Sequence, residues 1–115
     1  KLIIMETLLE AIKKLEEKQI KAKANRKSAD YQTRNQANSE VYYNRCILFA
    51  LNTAWYIVKH NVDAEEYINT VMSNYKKDQG WNGYGNYLGV DYVKEYFSRR
   101  VKSLIENEKT IRADR

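Results

Sequence analysis

The chain has 115 residues, 20 Lys+Arg against 15 Asp+Glu, and 43% hydrophobic residues, enough for one core and too many for wholesale disorder. Its longest dense apolar run, Cys46 to Val58, covers 13 residues and contains Asn52 and Thr53, short of the about 20 that a membrane span needs. The one cysteine, Cys46, cannot close an internal disulfide, which argues against a disulfide-stapled secreted framework and for an intracellular, cytoplasmic setting.

The chain opens on KLIIMETLLE, with only four apolar residues before Glu6, too few for the apolar core of a signal peptide. The absence of an initiator Met ahead of Lys1 points to removal of a tag or an N-terminal piece. There is no proline, and all four glycines fall between Gly80 and Gly89. Residues 1–79 therefore lack both strong helix breakers, and helix should account for more than half of the chain, with strand marginal.

The first predicted helix runs from about Leu2 into the twenties. Met5, Leu8, Ile12 and Leu15 repeat at 3-4-3 spacing, and Leu9 widens the stripe. Continuing that spacing reaches Gln19, Ala22, Arg26 and Ala29, so the apolar seam fades after about two heptads, where a long coiled coil needs three or four. The seam either packs on the protein's own core or forms a short zipper with a second copy. The second option makes Met5, Leu8, Ile12 and Leu15 a candidate homodimer contact.

Residues 21–40 contain no large aliphatic side chain, and Asn25, Ser28, Asp30, Asn35, Asn38 and Ser39 are poor helix formers that compete for backbone hydrogen bonds. A break is predicted between Asn25 and Ser39. The second helix, about Glu40 to His60, carries Cys46, Ile47, Leu48, Phe49, Ala50, Leu51, Trp55, Tyr56, Ile57 and Val58. A helix apolar on nearly every side belongs at the centre of a fold.

The third helix has the clearest start. Asp63 is placed as N-cap, Glu66 follows three residues on, and Val62 and Tyr67 are spaced as a hydrophobic staple. Ala64, Tyr67, Ile68, Val71, Met72 and Tyr75 form its stripe, and Lys76 and Lys77 suit its negative end. The loop GWNGYGNYLG follows, and Asp91 is placed to cap a fourth helix with Val93, Tyr96, Phe97, Val101, Leu104 and Ile105 on one side. Beyond Asn107 the chain is expected to fray. The expectation is an all-α protein: a single helical domain over residues 1–115, an irregular four-helix bundle around the central apolar helix, with a Gly/aromatic loop before the last helix.

Charge is unevenly placed. The segment Lys18 to Arg34 holds six basic residues, Lys18, Lys21, Lys23, Arg26, Lys27 and Arg34, against one acid, Asp30, and the rest of the chain balances at 14 of each sign. A concentrated basic segment on a neutral background suits a polyanion, with phosphates of nucleic acid first and an acidic protein partner second. The competing reading is a solvated helix face. On a continuous helix, Lys23, Arg26 and Lys27 would share one side, with Arg34 two turns on. Trp81, Tyr84 and Tyr87 recur every three residues in the Gly-rich loop and are candidates for base stacking or partner contact, against a loop that folds back to close the core.

Catalysis finds no residues to carry it. His60 is the lone histidine, with Asp63 and Glu66 the nearest acids and no metal-ligand spacing. Cys46 lies 14 residues from His60 on an apolar helix, so no nucleophile–base pair is visible, and the acidic pairs Glu16/Glu17 and Glu65/Glu66 are surface neighbours. The glycine spacing matches no nucleotide-binding pattern. No enzyme activity, no cofactor and no metal site is expected. Lys, Asn, Tyr and Ile supply 43 of the 115 residues, the bias of AT-rich coding found in some viruses and mobile elements. Two functions remain: a small nucleic-acid-binding protein with a packaging or accessory role, and a non-enzymatic interaction module such as an inhibitor, immunity or assembly protein.

Overall fold

Thr7 starts the first helix because its side chain supplies an acceptor where helical backbone N–H groups lack one. In the computed structural model, which describes residues 6–75 and 90–114, Thr7 Oγ1 accepts from Glu10 N at 3.2 Å, and Glu10 Oε1 accepts from Thr7 N at 3.2 Å. This reciprocal capping box opens α1, Leu8–Asn25. The seam is at work along it: Leu8, Ile12, Gln19 and Ala22 are all buried. The 3-4 spacing thus continues past the aliphatic residues, with an amide and a methyl group taking the next two places.

The break comes early. Arg26, in αR conformation, caps α1, and the turn bonds Lys27 N to Ala24 O and Ser28 N to Asn25 O, at 3.2 and 3.1 Å, tighten its end. Asp30 then caps α2, Tyr31–His60: its Oδ2 accepts from Thr33 N at 2.9 Å and from Thr33 Oγ1 at 2.6 Å. The second helix therefore begins nine residues before its expected start at Glu40. Asn35, Asn38 and Ser39 lie within it as exposed residues, while Ala37 and Val41 are buried. Burial of that small seam overrides the weak local preference of the polar residues. A tertiary bond joins the two helices of the hairpin, from Gln19 Nε2 to Val41 O at 3.0 Å.

α2 is not apolar-buried on every side. Val41, Ala50, Leu51, Ala54 and Ile57 are buried, yet Ile47, Tyr43 and Tyr56 are exposed. Asn61 ends it with φ of 51°, a left-handed conformation that Asn tolerates, and Val62 N donates to Ile57 O at 3.4 Å, the six-to-one bond of a Schellman ending. Asp63 caps α3, Ala64–Tyr75, as expected, its Oδ2 accepting from Glu66 N at 2.9 Å. Ile68 and Met72 are the buried centre of α3's stripe.

α4 spans Val90–Ala113, so Asp91 lies in its first turn instead of ahead of it. Phe97, Val101 and Ile105 are buried as expected, whereas Tyr96 is exposed. The chain does not fray after Asn107: helix continues to Ala113 with Glu108 and Ile111 both buried. Ile111 and Glu108 prolong the same 3-4 seam, and Arg112 Nε meets Glu108 Oε2 at 3.2 Å, so a charged residue at a core position hid the continuation. Complete burial of Val101 and Ile68, at 0% and 1% exposure, contributes about 1.5–3 kcal/mol each. Lys102 Nζ binds Glu65 Oε2 between α4 and α3.

The described residues are all-α, 88% of them helical, with helices packing on helices and no strand among them. It divides into two compact units, Lys1–Asn52 and Thr53–Arg115, with the division inside α2. None of the described helices is long and apolar enough to cross a membrane. Met5, Lys76, Lys77 and the Gly-rich loop with Trp81, Tyr84 and Tyr87 lie outside the described residues.

Candidate functional site

The basic segment is divided between a helix, a turn and a second helix start. Lys18 and Lys21 sit on α1 and are exposed, as is Lys23 in its last turn. At about 100° per residue, Lys23 is turned about 140° from Lys18 and about 160° from Lys21, so these three do not share one side. Arg26 is the C-cap and Lys27 lies in the turn, both exposed. The single face expected for Lys23, Arg26 and Lys27, with Arg34 two turns beyond, is replaced by a reversal of the chain at residues 26–30.

That reversal gathers Lys23, Arg26 and Lys27 at the end of α1. Cations there oppose the partial negative charge of the last helical carbonyls, a structural use for them. They nevertheless carry no ion pair among the described residues. The pairs present are Lys14–Glu6, Lys102–Glu65, Lys109–Glu106 and Arg112–Glu108.

Arg34 has a different role from the other five. It is half-buried, and its Nη1 donates to Ser28 O at 3.1 Å and Ala29 O at 3.3 Å. Its Cζ lies 5.7 Å from the centre of the Tyr31 ring, within cation–π range. Arg34 thus staples the turn and seats Tyr31, which is 66% exposed. Tyr31 was missed by sequence reasoning as a site residue. The Asp30–Thr33 capping interval and the Tyr31–Arg34 interval of three residues were the available signals, and both depend on a helix start that composition disfavoured.

Asp30 is the one acid of this segment. Its carboxyl is held below the ordinary value of 3.8, first by the Thr33 hydroxyl and then by the Thr33 backbone N–H. The carboxylate faces the start of α2, whose positive end offsets its charge.

In the second unit the His60 ring meets Tyr56 at 4.2 Å, tilted by 40°, and Tyr56 stacks on Tyr67 at 4.4 Å with an interplanar angle of 11°. Burial raises the Tyr67 hydroxyl above its ordinary value of 10.0, with the nearby Tyr56 adding to the shift. Val62, Asp63, Glu66, Tyr67 and Thr70 line a shallow depression beside this stack. No group of three or more His, Cys, Asp or Glu side chains suited to a metal ion occurs among the described residues. Cys46 is half-buried.

The candidate dimer seam is occupied within the single chain. Leu8 and Ile12 retain 4% and 6% exposure and Leu15 is half-buried, because α1 turns this side inward. Compared with known proteins, the chain matches no family model, no curated protein and no solved structure.

Proposed function

We propose that the protein binds nucleic acid through the phosphate backbone, in a packaging or accessory role, using the turn between α1 and α2. The observation that carries this reading is the grouping of Lys23, Arg26 and Lys27, exposed and without ion pairs among the described residues, at one end of a helical hairpin. Lys18 and Lys21 extend the positive field along α1, and Arg34 serves chiefly to hold the turn. Contacts of this kind carry no base information, so binding is independent of sequence. The composition favours an origin in a virus or mobile element, and the half-buried Cys46 is compatible with a reducing, intracellular setting.

The test is charge reversal of Lys23, Arg26 and Lys27 to Glu, read as affinity against salt. Removing about three phosphate-binding cations shrinks the slope of log affinity against log salt by about 2.7 on duplex DNA and about 2.1 on a single strand. An unmodified protein that ignores DNA and RNA at low salt overturns the proposal.

Tyr43 and Ile47 support a second reading, a protein-interaction module. They stand one helical turn apart on α2 at 59% and 41% exposure, and exposed aromatic and aliphatic side chains of this kind serve as interface anchors. Co-purification with one defined protein at high salt, abolished by Tyr43→Ala, favours that reading.

A further inference from the structure

We propose that the turn takes single-stranded nucleic acid in preference to duplex, with Tyr31 stacking on an unpaired base while Lys23, Arg26 and Lys27 hold neighbouring phosphates. This rests on the nucleic-acid reading above and adds a residue and a substrate form to it. Phosphate binding alone needs no aromatic group, yet the turn exposes one beside its cations. Tyr31 opens α2, four residues after Lys27, and is 66% exposed.

The ring is held in place. Arg34 lies over it at 5.7 Å from the ring centre, and Arg34 is itself fixed by Nη1 bonds to Ser28 O and Ala29 O. With the guanidinium on one side and so large a fraction of the residue exposed, the opposite ring face meets solvent. A preset aromatic loses little conformational freedom when a planar group settles on it. Nε and Nη2 of Arg34 make no bond among the described residues, which leaves donors beside the stacked base for its phosphate.

Base form follows from geometry. In a duplex each base is covered above and below by its neighbours, so a side chain at a helix start reaches only edges and phosphates. An unpaired base offers its face, and aromatic platforms flanked by cations are the general means of binding single strands regardless of sequence. Asp30 does not defeat this arrangement, since its carboxylate is engaged by Thr33 at the positive end of α2.

The experiment measures fluorescence anisotropy of the full chain with labelled oligothymidine and with a duplex of equal length, for the unmodified protein, Tyr31→Ala, Tyr31→Phe and the triple Glu variant. Circular dichroism checks that each variant stays helical. The unmodified protein should bind the single strand more tightly than the duplex. Tyr31→Ala should weaken single-strand binding by about 5- to 140-fold, leave duplex binding unchanged, and be rescued by Tyr31→Phe. Equal affinity for both forms, or single-strand binding unmoved by Tyr31→Ala, overturns this inference and leaves the phosphate reading standing. Failure to bind either form overturns both.

Discussion

Replacing Gln19 by Leu should stabilise the protein, although it removes the side-chain hydrogen bond that joins α1 to α2. Gln19 occupies a seam position at 8% exposure, its Nε2 donates to Val41 O at 3.0 Å, and its Oε1 is buried with no partner. Losing the bond costs about 1 kcal/mol, and removing the orphaned oxygen recovers about 1–3 kcal/mol. Val41 O is not stranded, because it lies inside α2 and keeps its helical donor four residues on. Burying a leucine in place of the amide adds up to about 1.5–3 kcal/mol, part of which packing strain will consume. A net gain of about 1–3 kcal/mol follows, raising Tm by about 4–12 °C in thermal melts followed at 222 nm. Gln19→Ala separates polarity from volume: it leaves a void and should fall about 2–5 kcal/mol below the leucine variant. A leucine variant that stays helical but melts below the unmodified protein would refute the reasoning. It would mean that Oε1 is satisfied in solution, and that the amide is a net stabiliser as well as a device for setting helix register.

Three further outcomes are expected. The ionised Asp30 carboxylate stabilises the start of α2, and its folded pKa is depressed below 3.8. That contribution is complete above the unfolded value and is lost as pH falls through the folded one. Asp30→Asn should flatten this acid-side loss, measured as helicity between pH 5 and pH 2, while an unchanged profile refutes the role. Because burial raises the Tyr67 hydroxyl above 10.0, stability is complete below that value and declines as pH rises towards the folded pKa. Absorbance at 295 nm should show one tyrosine ionising late, and Tyr67→Phe should remove that step. Finally, Leu8→Lys with Ile12→Lys should unfold the first unit rather than release a folded monomer, because both positions are buried within the chain. A well-folded double variant, smaller by light scattering than its parent, would instead restore the dimer seam.

Helicity was legible in the amino acids because its determinants are local. The lack of proline, the confinement of glycine to residues 80–89, the 3-4 spacing from Leu8 to Leu15 and the Asp63–Glu66 cap all act within a turn or two of helix. Each needs no distant partner to be read. The basic segment was legible too, as composition, but not its arrangement. Whether Lys23, Arg26 and Lys27 line a helix or crowd a turn depends on where α1 stops, and Arg34 became a staple only once Ser28 and Ala29 folded back against it.

Tertiary packing decided what the seams face. Ala37 and Val41 carry little hydrophobic signal amid Asn35, Asn38 and Ser39, yet their burial accompanies an α2 that starts nine residues nearer the turn than composition suggested. Gln19 and Glu108 are polar by type and buried by position. Pattern reading scores a residue by its own chemistry, whereas burial is set by whatever packs over it. Leu8 through Leu15 therefore announced that something would cover them, and only the folded chain showed that the cover is its own.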